Sequence, residues 1–319
     1  MSSQRSLSPR LAIPTVLLYA AGYPIGSAAV AVMSPFLVIA LRFAASAALL
    51  WVIVAVRRPK MPNRRLVMHA MVAGLMTQGV QFIGLYWALA HGVSAGLAAL
   101  IIALNPVITA GLMAIVLGHR ETRRGMMALA LAVAAVVLAC APKIAADSSV
   151  GPAVAVVVLA MIGLSAGGIY QGKFCSGMDV WLVTALGLTA STPFAVVFAV
   201  SSPIVVTDLP KAVILLVVMV VFTSVGATTL YSACIKAAGA RAASILFAVI
   251  PAAAAVMAWV ALDESLSVFA IGGLVLGAAA CILQSRSTSG VVPADETPKG
   301  EGVGVTTGDA TVERLLGRQ

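Results

Sequence analysis

"YWALAHGVSAGLAALIIALNPVITA" occupies residues 86–110, and "YSACIKAAGARAASILFAVIPAAAA" occupies residues 231–255. Each block is apolar enough to lie in a bilayer, yet each carries a proline, Pro106 and Pro251. A proline inside a helix removes one hydrogen bond and clashes with the carbonyl four residues back, here Ile102 and Phe247. With Pro106 laid on Pro251, Tyr86 meets Tyr231, Ala88 meets Ala233, His91 meets Lys236, and Ala98-Ala99 meets Ala243-Ser244. One such break is an oddity; two in register imply an internal repeat.

The rest of the chain fits that repeat into a membrane. Charged residues make up 10% of the sequence and hydrophobic ones 61%, against about 25% charged in a soluble domain. Such a chain cannot cover a globule with polar surface. Apolar runs of membrane-spanning length fall at 11–31, 35–56, 66–90, 94–117, 125–142, 150–172, 180–200, 211–235, 240–262 and 267–284. The sequence therefore predicts an all-α integral membrane protein of ten transmembrane helices, with Pro35 starting the second. Residues 1–10 form a cytoplasmic N-terminus, 11–142 the first five-helix repeat, 150–284 the second, and 285–319 a disordered cytoplasmic tail rich in Gly, Ser and Thr.

Loop charges set the orientation. With the N-terminus inside, the inner segments hold Arg5, Arg10, the cluster Arg57 to Arg65, Arg120, Arg123, Arg124, Lys173, Lys236, Arg241 and Arg286. The outer loops hold only Lys143 and Lys211 as fixed cations. This is the positive-inside pattern, and it places both termini in the cytoplasm. The net charge of +9 is thereby explained by topology, without a nucleic-acid partner. The first span, preceded by Arg5 and Arg10 and ending near Ala29-Val30-Ala31, has the look of a signal peptide. The repeat requires it to be retained. The cysteines Cys140, Cys175, Cys234 and Cys281 form no CxxC pair and read as small apolar fillers rather than metal ligands.

Five spans per half is an odd number, so the halves insert with opposite orientation. Inverted repeats of this kind occur in secondary transporters, whose substrate site lies near the midplane between the halves. The order of "GYP" at Gly22 to Pro24, "LRFAASA" at Leu41 to Ala47 and the paired blocks resembles the EamA-like branch of the drug/metabolite transporter superfamily, over about residues 11–284. Where that family often carries Gly-Glu-Arg after the fourth helix, this chain has Gly118-His119-Arg120; an aromatic often found as Trp in the first span is Tyr19. The resemblance implies a multi-pass carrier of the bacterial inner (plasma) membrane that exports amino acids or related metabolites by alternating access. Multidrug efflux or metabolite uptake on the same fold is the alternative. A non-transporting scaffold or a lipid-processing enzyme is a further one.

The polar groups at membrane depth bear on these alternatives. No Asp or Glu falls within a span, which argues against exchange of a proton for an organic cation on an intramembrane carboxylate. Arg42 is the one fixed charge well inside a span and is read as structural, bonding helix ends or snorkelling. Gln78 and Gln81 are three apart on the third helix and so share a face; they either bind substrate or clasp a neighbouring helix. Thr223, the repeat counterpart of Gln78, belongs to a polar stripe with Ser224, Thr228 and Tyr231, whose hydroxyls have the backbone as a competing partner. Tyr19, Tyr23, Gln78, Gln81, Asn105, Thr223, Thr228 and Tyr231 are the expected substrate-binding residues, with Pro106 and Pro251 as helix bends. No Walker loop or HExxH is present, so the expectation is no enzyme, no cofactor and no metal. The expected partners are a small-molecule substrate and the lipid bilayer, with the chain as monomer or homodimer.

Overall fold

A computed structural model describes residues 8–93, 95–117, 150–247 and 249–250, with isolated helical positions at 123–134 and 253–282. Among these residues every regular element is helical, apart from one isolated bridge between Met33 and Val206. Seven helical runs are long and apolar enough to cross a membrane. They correspond to the first four spans and the sixth to eighth spans expected from the sequence. Apart from those isolated positions, the fifth and tenth spans and the later part of the ninth lie outside the described residues, as do Pro251 and the C-terminal tail.

Span ends follow local chemistry. Pro9 and Pro35 open the first two helices, Pro9–Val32 and Pro35–Arg57, where a missing N–H costs nothing. Asn63 caps the third span, its side chain accepting from Leu66 N at 2.9 Å. Asp179 caps the seventh span, Val180–Val200, by accepting from Trp181 and Leu182, and Asp208 caps the eighth by accepting from Lys211. Glycine turns the chain in both repeat-related hairpins: Gly92 after the third span has φ 90°, and Gly239, with φ 84°, kinks the helical run Thr228–Ser244 where the eighth span gives way to the ninth. Only glycine adopts that backbone without strain.

The third and eighth spans are not simple α-helices. A π-turn at Leu75–Val80 interrupts the third span between Arg64–Gly74 and Gln81–Ala90. Another at Met219–Ala227 interrupts the eighth between Leu209–Val218 and Thr228–Ser244. The register that lays Pro106 on Pro251 carries 75–80 onto 220–225, inside the second π-turn. The two halves therefore share a local irregularity as well as a sequence pattern. Such π-turns are frequent at functional sites.

The fourth span breaks as its proline demands. Ala95–Ile102 ends in a turn at Ala103 and Leu104, and a new helix, Asn105–Leu117, starts with Pro106 in its first turn. Proline is tolerated there. Helix crossings rely on absent side chains. A Cβ added to Gly74 would stand 1.9 Å from the Gly187 Cα, so the third and seventh spans meet backbone to backbone. Gly163 and Gly167 of the sixth span, Val150–Phe174, receive Val80 and Thr77 from the first π-turn in the same way.

Candidate functional site

Between the first, second, third, eighth and ninth spans lies a cavity with about 620 Å³ of atom-free space. The first span contributes Tyr19, Gly22, Tyr23, Gly26 and Ser27; the third contributes Gln81, Phe82, Leu85, Tyr86 and Leu89. Both sets run from mid-span to the C-terminal end of their helix, so the cavity reaches from the molecule's middle toward the face holding the Met33–Val206 bridge. Arg42, Thr223 and Phe247 complete the wall. Residues of both halves thus face one space.

The helices place these groups through glycine and the π-turns. Gly22 and Gly26 leave room where a side chain would meet Thr223 Cγ2 and the Tyr86 hydroxyl, each 3.4 Å from an added Cβ. The same contact recurs in the opposite half, where Gly168 of the sixth span lies 3.4 Å, on the same measure, from the Tyr231 hydroxyl. Gln81 follows directly on the first π-turn, and its Oε1 is buried without a hydrogen-bond partner. Arg42 is 4% exposed. Its Nε donates to Ser224 Oγ of the eighth span, and its guanidinium lies over the Phe82 ring, 4.4 Å from the centroid. The Tyr86 hydroxyl is a further partner of this cation.

Of the residues expected from sequence, Tyr19, Tyr23, Gln81, Thr223 and Arg42 come together on the cavity wall. Thr223 commits its hydroxyl to the backbone, donating to Met219 O at 2.8 Å. Tyr231 is withdrawn beneath the wall, its ring edge-on to Tyr19 at 6.1 Å and to Phe247 at 5.1 Å. Gln78 is buried but does not line the cavity. The expectation that Gln78 and Gln81 share a face assumed α-helical winding; the wider π-turn, bonding i to i+5, takes the two amides apart. Thr228 is fully buried and donates to Ser224 O. Asn105 donates to Ser165 Oγ at 2.8 Å and accepts from Thr109 at 3.3 Å, tying the fourth span to the sixth.

The sequence reading did not select Phe82, Leu85, Tyr86 or Phe247. For Tyr86 a signal existed, since the repeat pairs it with Tyr231. For the apolar three there was none, because a cavity wall and a helix contact draw on the same residue types.

A second, smaller cavity of about 210 Å³ lies at the opposite end of the molecule, beside Gln171, Cys175, Ser232 and Lys236. These sit on the sixth and eighth spans, the repeat counterparts of the first and third. Side-chain contacts bridge the spans here. Lys236 Nζ donates to Met178 O at 2.7 Å, Thr184 reaches Ser232 at 3.5 Å, and Thr15 meets Cys234 Sγ at 3.6 Å. His91, the counterpart of Lys236, instead folds back onto its own helix, bonded to Trp87 O at 2.8 Å and stacked on the Trp87 ring. Burial pushes the Cys175 thiol, which follows the sixth span, up to about 11. Among the described residues no group of three or more His, Cys, Asp or Glu is placed to hold a metal ion.

Comparison with known proteins accords with this geometry. The model of the EamA-like transporter family matches the chain twice, over residues 10–141 and 151–286. No match is found among curated protein sequences. A solved crystal structure matches with a TM-score of 0.64 at 19% identity, covering 87% of this chain and 97% of the other. At that identity the likeness is one of fold.

Proposed function

Because this chain belongs to the EamA-like transporter family, we propose that it is a secondary carrier that exports small polar or amphipathic metabolites, amino acids or related compounds, by alternating access. Ten spans with both termini in the cytoplasm and a bacterial inner-membrane location complete the reading. The observation that carries it is the inequality of two repeat-related cavities: about 620 Å³ toward one face, about 210 Å³ toward the other. In an inverted repeat the same interface occurs twice, once toward each side of the membrane. A carrier caught in one state has one copy open and the other shut. With the orientation given by the positive-inside rule, the open copy faces outward, and Lys236 on Met178 closes the cytoplasmic side.

The wall chemistry supports a small amphipathic cargo. Amide, hydroxyl and guanidinium groups offer hydrogen bonds beside aromatic rings, a mixture that suits a small amphipathic molecule. Purified protein reconstituted in liposomes and assayed against a panel of amino acids, with and without a pH gradient, tests the reading. Saturable, protein-dependent movement of at least one member is the expected result. Fluxes equal to those of empty liposomes across the whole panel and both gradient conditions overturn it.

A further inference from the structure

Arg42 sits in the cavity wall as a buried cation, and among the described residues no carboxylate pairs with it. All eleven acids of the chain lie outside the expected spans. The two acids among the described residues, Asp179 and Asp208, are occupied as helix caps at span ends. A charge at membrane depth is costly unless something compensates it. Ser224, the Phe82 face and the Tyr86 hydroxyl solvate the guanidinium but do not neutralise it. Ser224 takes the Nε–H and the Tyr86 hydroxyl a further N–H, and the other guanidinium donors stay available to a carboxylate.

Gln81 supplies the second observation. It lines the same cavity at 3% exposure, and its Oε1 accepts nothing from the protein. A buried acceptor left without a donor is costly, a penalty relieved if a ligand brings an N–H or O–H. Tyr19, Phe82, Tyr86 and Phe247 give the same cavity an aromatic share of its wall.

We propose that Arg42 is the carboxylate anchor of the outer cavity, and that the substrate is an organic acid with an apolar or aromatic body, recognised by its acid group rather than by an amine. An amino acid qualifies through its carboxylate; its ammonium has no acid to meet and contributes at most a hydrogen bond to Gln81. The word substrate rests on the carrier reading above; the binding event does not.

Isothermal titration calorimetry on the full-length protein in nanodiscs separates the two. Four probes share one phenyl group: 3-phenylpropionate, phenylalanine, phenylalaninamide and phenethylamine. The two acids are expected to bind at least tenfold more tightly than the amide and the amine. Arg42→Gln should bring the acids down to the level of the amide, and Arg42→Lys should recover part of the difference. Equal binding of amide or amine on the wild-type protein, or no binding of either acid, overturns the proposal without recourse to any variant. Unchanged acid binding in folded Arg42→Gln overturns it as well. Carboxylates that bind but are not moved in liposomes sink the carrier reading and leave the anchor standing. Transport of neutral metabolites by a protein that binds no acid does the reverse.

Discussion

The guanidinium of Arg42 in the second span donates to the hydroxyl of Ser224 in the eighth, so one buried hydrogen bond joins the first half of the chain to the second. It lies on the cavity wall, where Arg42 also faces the Phe82 ring. Any motion that separates the halves at this level must either keep the pair or exchange it for another partner.

Ser224→Ala should therefore destabilise the protein by about 1.5–3 kcal/mol, the range for a hydrogen bond to a charged group. A fall in the detergent melting temperature is the readout. Melting indistinguishable from wild type would show that the pair contributes nothing to stability.

Gln81→Leu and Gln78→Leu should behave differently although both are buried amides. Removing Gln81 takes away a cavity acceptor that has no protein partner, so ligand binding should weaken by about tenfold while stability is kept or raised. Gln78 does not line the cavity, and its replacement should leave affinity within about twofold. The same titrations on both variants decide the matter, and equal losses would contradict the placement of the π-turn between them.

Lys236→Met removes the donor that holds Met178 O. If this bond closes the cytoplasmic side, losing it shifts the population toward inward opening by about tenfold, the worth of about 1.4 kcal/mol. Cys175 lines the small cavity there and reports the change in a background lacking the other three cysteines. With its thiol raised to about 11 by burial, Cys175 is almost wholly protonated at pH 7 and should react slowly with maleimide. Labelling should speed up both in Lys236→Met and as pH rises toward that value. A rate unaffected by the substitution would remove Lys236 from the closure.

Gly74→Ala and Gly111→Ala form a matched pair. The first pushes a methyl group to within 1.9 Å of the Gly187 backbone, where no side chain can move aside. Overpacking of this kind costs about 1–3 kcal/mol or more, so the yield of monodisperse protein should fall. The second meets nothing within 4 Å in a helix interior. It should gain up to about 1 kcal/mol from helix propensity. Size-exclusion profiles and melting curves of the two variants give the answer.

What the sequence made legible was periodic or covalent in origin. Pro35 marks the start of the second helix because an orphan N–H there is absent. Pro106 marks the break of the fourth span for the same reason. Asn63, Asp179 and Asp208, which cap three other spans, were not singled out. The π-turns were not legible, since nothing in "LMTQGV" separates i+5 bonding from i+4 before the neighbours are known. That irregularity accompanies the absence of Gln78 from the cavity wall. Asn105 is expected from sequence to bind substrate; its partner, Ser165, is sixty residues away and only packing reveals it. Depth along a span could be read for Arg42, but not which side of the helix it occupies, and the side decides between a structural charge and one on the cavity wall.

The π-turns carry one more consequence, and it is rotary. Each leaves a stretch of the third or eighth span wound wide, with α-helix on both sides. Moving such a wide stretch along by one residue exchanges one backbone hydrogen bond for its neighbour and keeps the helix continuous. The residue passed over turns by about 100° around the axis, the angle of one α-helical step. Gln81 stands at the edge of one wide stretch and Thr223 within the other. A single step in either span would dial a different side chain into the cavity, like a combination lock whose tumblers are turned by the backbone itself.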